Sequence, residues 1–250
     1  MAGHSKWANI KHRKAAADAA KGRIFSKIAK EIMVAARHGG GDPAANITLR
    51  ALIQKARGVN MPADNIERAI KRGTGELEGQ ALEEIYYEGY GPGGISIVVH
   101  TLSDNRNRTA SEVRNVFSKH GGSLAGSGSV LRNFRRRGYF TIAAANVSED
   151  RLLEIALEAG ADDVKRDGEM FEVICEPARF GAVSDALNAA GIKPETSEIT
   201  MLPETTLPVT DPDKARQILT FIEALEEMDD VQNVYANFDI ADDVMARAQG

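Results

Sequence analysis

Apolar residues first recur at helical spacing at Phe25, Ile28, Ile32 and Ala36, one face of a helix with 3.6 residues per turn. The run His38-Gly39-Gly40-Gly41 stops that helix, because glycine accepts the left-handed geometry of a C-cap. Asp42 offers an N-cap oxygen and Pro43 suits a first turn, so Leu49, Leu52, Ile53 and Ala56 predict a second helix ending near Gly58. Pro62 opens a third, short helix carrying Ile66 and Ile70, closed by Gly73. Upstream, residues 1–23 show little periodicity and read as an arm with a short helix from Lys11 to Lys21. Three helices on short loops make a small all-α domain.

The pattern changes after a Gly/Glu-rich linker at 74–81. Ile95 to Leu102 is a β-branched run of the kind that forms a buried strand, and Ile85–Tyr90 precedes it across a glycine-rich turn. Thr109 with Glu112 three residues on forms a capping box for a helix running to about His120. Ser129–Phe134 and Gly138–Ala143 are expected strands. Next comes a βαββαβ series. Its parts are Tyr139–Ala143, a helix capped by Ser148, a hairpin of Asp162–Arg166 and Met170–Glu176, the helix Phe180–Ala190, and Ser197–Leu202. The hairpin turns at Asp167-Gly168, a dipeptide suited to a type I′ turn. This order is ferredoxin-like. The last segment has one helix, Asp213–Glu227, and one strand, Val231–Phe238, which cannot bury both their faces alone. Residues near 95–135 have the complementary deficit. The reading is therefore an α+β multidomain chain: an N-terminal all-α domain and linker (1–80), then two ferredoxin-like α+β domains. The second of these (136–204) is inserted into the first (81–135 plus 205–250).

Charge sharpens this division. The 250 residues carry a net charge of −5. Residues 1–72 hold 15 Lys+Arg against 5 Asp+Glu, whereas residues 73–250 hold 16 against 31. A basic end joined to an acidic remainder points to one dedicated polyanion-binding region. No apolar run reaches the ~20 residues that span a bilayer. The single cysteine, Cys175, excludes an internal disulfide and a thiolate metal cluster. With no apolar signal segment at Met1–Arg13, these features predict a cytoplasmic protein.

The candidate nucleic-acid-binding residues are His4, Lys6, Trp7, Lys11, His12, Arg13, Lys14, Lys21, Arg23, Lys27 and Lys30. Such cations gain free energy by displacing condensed counterions, and an exposed Trp7 would stack on a base. Arg106 and Arg108, in the loop Leu102–Thr109 before a helix, are candidate phosphate contacts. Gly89–Gly94 satisfies G-x-G-x-x-G, but a strand follows it and Pro92 removes a donor, so it reads as a hairpin turn. Arg132, Arg135, Arg136 and Arg137 form a second basic cluster, read as a hinge with solvated charge, with RNA contact as the lesser alternative. His100 and Cys175 alternate with apolar strand residues and read as packed. The carboxylate pairs Glu154/Glu158 and Glu223/Glu227 lie at the spacing of an exposed helix face. No nucleophile–base pair and no metal spacing stands out, so the expectation is a non-enzyme with no catalytic residues, cofactor, metal or small-molecule substrate.

The segments Met1–Lys14 (MAGHSKWANIKHRK), Tyr87–Gly94 (YEGYGPGG), Ser103–Thr109 (SDNRNRT) and Ala156–Asp163 (ALEAGADD) together resemble the hallmarks of the YebC family, over essentially the full length. The resemblance implies a helical N-terminal domain and two α+β domains. It also implies a role among what are usually described as probable transcriptional regulators that bind DNA. Members are further linked to translation: bacterial ones to ribosomes stalled on proline-rich sequences, and a mitochondrial relative to translational activation of cytochrome c oxidase. The expected partners are thus DNA or ribosomal RNA, with ribosomal proteins as an alternative contact, and no membrane.

Overall fold

The structure, a computed structural model, describes residues 18–78 and 81–249. They form two compact units. One comprises 28–78 with 136–201; the other comprises 18–27, 81–135 and 202–249.

The helical region consists of α1 (Asp18–Gly39), of which only the part from Ile28 on belongs to the first unit, α2 (Ile47–Gly58) and α3 (Ala63–Thr74). Ile28, Ile32 and Ala36 are buried on α1, as their spacing predicts; Phe25 is only half-buried, and Met33 joins the buried face. The cap of α2 differs from the sequence expectation. Asp42 closes a tight turn by accepting from the Ala44 N–H, and the helix begins only at Ile47, capped by Asn46. Buried Asn46 serves two helices. Its Oδ1 accepts from Leu49 N–H at 3.0 Å, while its Nδ2 donates to Ala35 O and Gly40 O, each at 2.9 Å. One amide thus satisfies orphan groups at the end of α1 and the start of α2. α3 crosses α1 at Gly73, where a Cβ would lie 2.4 Å from Met33 O, so only glycine permits the approach.

The rest of this unit is a four-stranded sheet of order β5-β6-β4-β7, built from β4 (Phe134–Ala143), β5 (Asp163–Asp167), β6 (Met170–Cys175) and β7 (Thr196–Pro203). Helices α5 (Glu149–Glu158) and α6 (Phe180–Ala189) cross between strands. This is the ferredoxin-like order. Phe140, Ile142, Leu152, Ala156, Phe171, Val173, Phe180 and Leu187 form its core, and Ala51 of α2 joins them. The β5–β6 turn departs in detail from expectation. Asp167 pairs with Met170, leaving Gly168-Glu169 as the two-residue loop. Only Gly168 has positive φ, at 57°, which fits a II′ rather than a I′ turn. The expected strand Ser129–Phe134 is instead a loop with a 3-10 turn at Leu131–Asn133, and β4 runs unbroken from Phe134.

The second unit has the sheet order β3-β1-β2-β9, from β1 (Glu83–Tyr90), β2 (Ser96–Ser103), β3 (Ser123–Leu124) and β9 (Val231–Ala236). β1 and β2 are joined by a hairpin rather than a helix. Helices α4 (Arg106–Lys119) and α7 (Pro212–Glu226) share the core with this sheet, through Val113, Phe117, Ile218, Phe221 and Ile222 against Ile97, Val99 and Val234. A short parallel pair, β8 (Leu207–Val209) with β10 (Phe238–Ile240), and α8 (Asp242–Gln249) complete it. β2 pairs with β9, so segments some 130 residues apart form one sheet. The observed architecture, a helical N-terminal region followed by α+β sheets, is the class expected from the sequence.

Candidate nucleic-acid interface

His4, Lys6, Trp7, Lys11, His12, Arg13 and Lys14 lie outside the described residues. Lys21 falls within α1. Arg23 is exposed and has no side-chain partner among the described residues. Lys27 is half-buried, and its Nζ donates to Glu226 O at 2.7 Å. Its charge therefore sits on the C-terminal carbonyls of α7, where a cation complements the helix dipole. Lys30 is half-buried.

The structure adds cations that the sequence reading did not single out. α2 and α3 are joined by only four residues, 59–62, with Asn60 at φ 59°, a connection of helix–turn–helix length. α3 buries Ile66, Ala69 and Gly73 and turns Arg68 and Arg72 to solvent. Arg57, Arg68 and Arg72 have no carboxylate partner among the described residues, while Lys71 pairs with Glu67 at 3.4 Å. The signal for them was present in the sequence, as basic residues spaced three and four apart opposite the apolar stripe. Lys55 is different: half-buried, it meets Glu31 at 3.3 Å and Glu198 at 3.8 Å, so its charge is paired within the protein. Burial alone would lower its pKa, but the two carboxylates outweigh burial and raise it.

Arg106 and Arg108 part company. Arg106 is exposed and bonds Glu83 at 3.0 Å. Arg108 reaches the buried Asp230 at 2.6 Å and Asp104 at 2.9 Å, and these hydrogen-bonded carboxylates hold its guanidinium firmly charged. Asp230 also accepts from Thr109 Oγ1 at 2.8 Å and Ser103 Oγ at 3.0 Å. The helix N-cap here is Asn105, whose side chain accepts from Arg108 N–H. Thr109, the expected cap, sits inside the helix. The motif Ser103–Thr109 is thus a clasp joining the β2–α4 corner to the α7–β9 corner, with the partly exposed Arg108 paired to Asp230 and Asp104.

The other sequence motifs are also structural. The loop after Gly89 is a hairpin turn, with Gly91 N–H bonded to Ile95 O. At Gly89 a Cβ would meet Phe117 at 2.4 Å and Ser123 O at 2.5 Å. Of the second basic cluster, Arg135 pairs with Glu204 at 3.1 Å, Arg137 with Glu176, and Arg136 donates to Thr48 Oγ1 at 2.7 Å. His100 is buried, 2.8 Å from Glu84 and stacked on Tyr86. Burial pushes the Cys175 thiol up to about 11, the state of an inert core residue.

Besides Asp230, the buried carboxylates Glu88 and Glu172 were not singled out from the sequence. Glu88 accepts three backbone N–H bonds, from Gly128 at 2.6 Å and from Val130 and Leu131 at 2.7 Å. Burial would raise its pKa, but the three donors prevail and lower it. Glu172, on β6, receives the Tyr139 hydroxyl, and burial holds its carboxyl above the usual range. Among the described residues, no group of three or more His, Cys, Asp or Glu could hold a metal ion. No helix among them is long and apolar enough to cross a membrane.

Two family models match the chain: the TACO1/YebC protein N-terminal domain over residues 5–76, and the TACO1/YebC second and third domain over residues 82–238. A protein of Carboxydothermus hydrogenoformans, named a probable transcriptional regulatory protein, is 54% identical over 245 residues, covering 97% of this chain and 100% of that protein. A protein of Syntrophobacter fumaroxidans with the same name is 54% identical over 247 residues, covering 99% of each. A crystal structure of a conserved hypothetical protein from Aquifex aeolicus is 48% identical with a TM-score of 0.79, covering 90% of this chain and 93% of that one. With both its helical region and its α+β sheets matched at this level, the chain belongs to the TACO1/YebC family.

Proposed function

We propose that this chain binds DNA through its basic N-terminal region and acts as a transcriptional regulator, the role carried by the names of its relatives. The observation that carries the reading is the cationic surplus of residues 1–72. Its exposed arginines Arg23, Arg57, Arg68 and Arg72 are not neutralised by carboxylates among the described residues. The four-residue turn between α2 and α3 supports a duplex target, since a second helix presented this way can enter a major groove. On α3, Arg68 and Arg72 lie on the solvent side, where they would meet phosphates or base edges. The test is a mobility shift of the full chain on several duplexes and a single-stranded RNA, at near-physiological salt. Arg68→Glu with Arg72→Glu should weaken duplex binding roughly tenfold or more. Equal wild-type affinity for every duplex would sink sequence-specific regulation.

A second reading, a ribosome-associated translation factor, is favoured by charge at the other end. Residues 205–250 hold three Lys+Arg against ten Asp+Glu, a surface suited to basic proteins such as those of ribosomes. Ribosome co-sedimentation should then fall when Lys11, Arg13 and Lys14 are changed to Glu, and an unchanged pellet would remove this reading.

A further inference from the structure

The start of α1 is anchored on the second unit. Residues 18–27 belong to that unit, and Lys27 Nζ donates to Glu226 O in the last turn of α7. Soon after Glu226, Asp229-Asp230 leads the chain from α7 into β9. Asp230 O accepts from Leu102 N–H at 2.9 Å, and Leu102 pairs with Glu84 across β1 and β2. A line of contacts within one unit thus runs from α1 to the Glu84 end of the sheet. Lys27 lies nine residues into α1, on the order of 14 Å along the helix from Asp18.

The sheet face at that end has a distinct chemistry. Alternation along β1 turns Tyr87 and Gly89 towards the core shared with α4 and α7, and Glu84 and Tyr86 to the opposite face. Tyr86 is 40% exposed and stacks on His100 with ring centroids 4.8 Å apart. Its hydroxyl donates to Glu84 Oε1 at 3.1 Å, and the same carboxylate lies 2.8 Å from His100. An exposed ring with a carboxylate at its edge receives a cationic side chain, the ring through its face and the carboxylate through charged hydrogen bonds. Exposed Glu227 and Asp229 lie at the same end. Residues 81–135 and 202–250 together hold nine Lys+Arg against sixteen Asp+Glu, so the field over this unit attracts cations and repels phosphate.

The segment that enters α1 has the complementary charge. Met1–Ala17 contains Lys6, Lys11, Arg13 and Lys14 and no Asp or Glu. Seventeen residues span at most roughly 60 Å when extended, ample for a face whose contacts lead back to α1. Being tethered there, the segment meets this face as an intramolecular ligand, with no association entropy of a separate molecule to overcome.

We infer that the Glu84–Tyr86–His100 face of the second unit, with Asp229 at its end, is a docking surface for the chain's own Met1–Ala17 arm, and that a polynucleotide must displace the arm to bind it. The displacement rests on the proposal that the basic N-terminal region binds nucleic acid; the docking does not. The carboxylates stand in for phosphates, so weak polyanions fail to compete and tight ones succeed.

The test uses the full-length protein and Trp7, its one tryptophan, as the reporter of the arm. Acrylamide quenching of Trp7 at low salt should rise roughly twofold or more in Glu84→Gln with Asp229→Asn and in Tyr86→Ala, as the docked population falls. The affinity for a mixed-sequence polynucleotide should rise roughly threefold or more in the same variants, since the competent fraction increases. Tyr86→Ala changes no charge and decides the question if the double variant folds poorly. Glu154→Gln with Glu158→Gln removes the same charge from an exposed face of α5 and should leave both readouts at wild-type values. An equal gain in that control would reduce the effect to bulk charge and overturn the docking. Trp7 equally quenched in wild type and in both test variants would overturn it while leaving the proposed function standing. Protection of Trp7 that disappears on dilution would assign the face to the arm of a second copy and overturn the intramolecular reading. The expected quenching with no polynucleotide bound by any form would support the docking and remove nucleic-acid binding instead.

Discussion

At the scale of single residues, the buried carboxylates dominate. Asp230 joins three side chains from the distant Ser103–Thr109 segment, so replacing it removes their charge-assisted hydrogen bonds. Asp230→Asn should lower unfolding stability by about 2 kcal/mol, measured by urea denaturation. A change below experimental error would show that the clasp is replaceable by solvent. Glu88 makes a prediction in pH. Its three N–H donors hold its folded pKa below the unfolded value. Its stabilisation is therefore fully present above the ordinary carboxylate range and is lost as pH falls through the folded value. Glu88→Gln should cost about 1–3 kcal/mol at neutral pH and flatten the acid limb of the stability profile. A parallel profile in the variant would contradict this.

At the scale of elements, capping links two helices through one side chain. Aspartate is as good an N-cap as asparagine, so Asn46→Asp would be neutral if Asn46 served α2 alone. Because its amide also donates to Ala35 O and Gly40 O, the carboxylate would face carbonyls at the negative end of α1. We expect Asn46→Asp to destabilise by about 2 kcal/mol and Asn46→Ser by less, measured by thermal unfolding. Equal effects would mean that the α1 contacts carry no weight. Element types were legible in the sequence because apolar periodicity reports which face is buried. Helix starts were less legible, since Asp42, Asn46, Asn105 and Thr109 all have cap-forming side chains, and local sequence does not say which one the chain direction selects. The segment Ser129–Phe134 had the apolar residues of a strand, but its backbone N–H groups bind Glu88 instead of a neighbouring strand.

At the scale of the whole molecule, the two units have separate cores. A chain ending after Glu204 would lose α7 and β9, which cover Ile97, Val99 and Phe117. Hydrogen exchange should then show β1 and β2 amides unprotected and β4 and β6 amides still slow. Uniform loss in both sheets would show that the units fold only together.

By itself the sequence determined the elements, the ferredoxin-like order, the polarity of charge along the chain and the family motifs, because each is written in spacing or composition over a few turns. Only the tertiary structure decided that Arg108 is paired with Asp230 and that Asp230 and Glu88 anchor loops. Those outcomes depend on which groups, from 40 to 122 residues apart, arrive within hydrogen-bond reach. The free energy of such a contact comes from burial and geometry that no local pattern encodes.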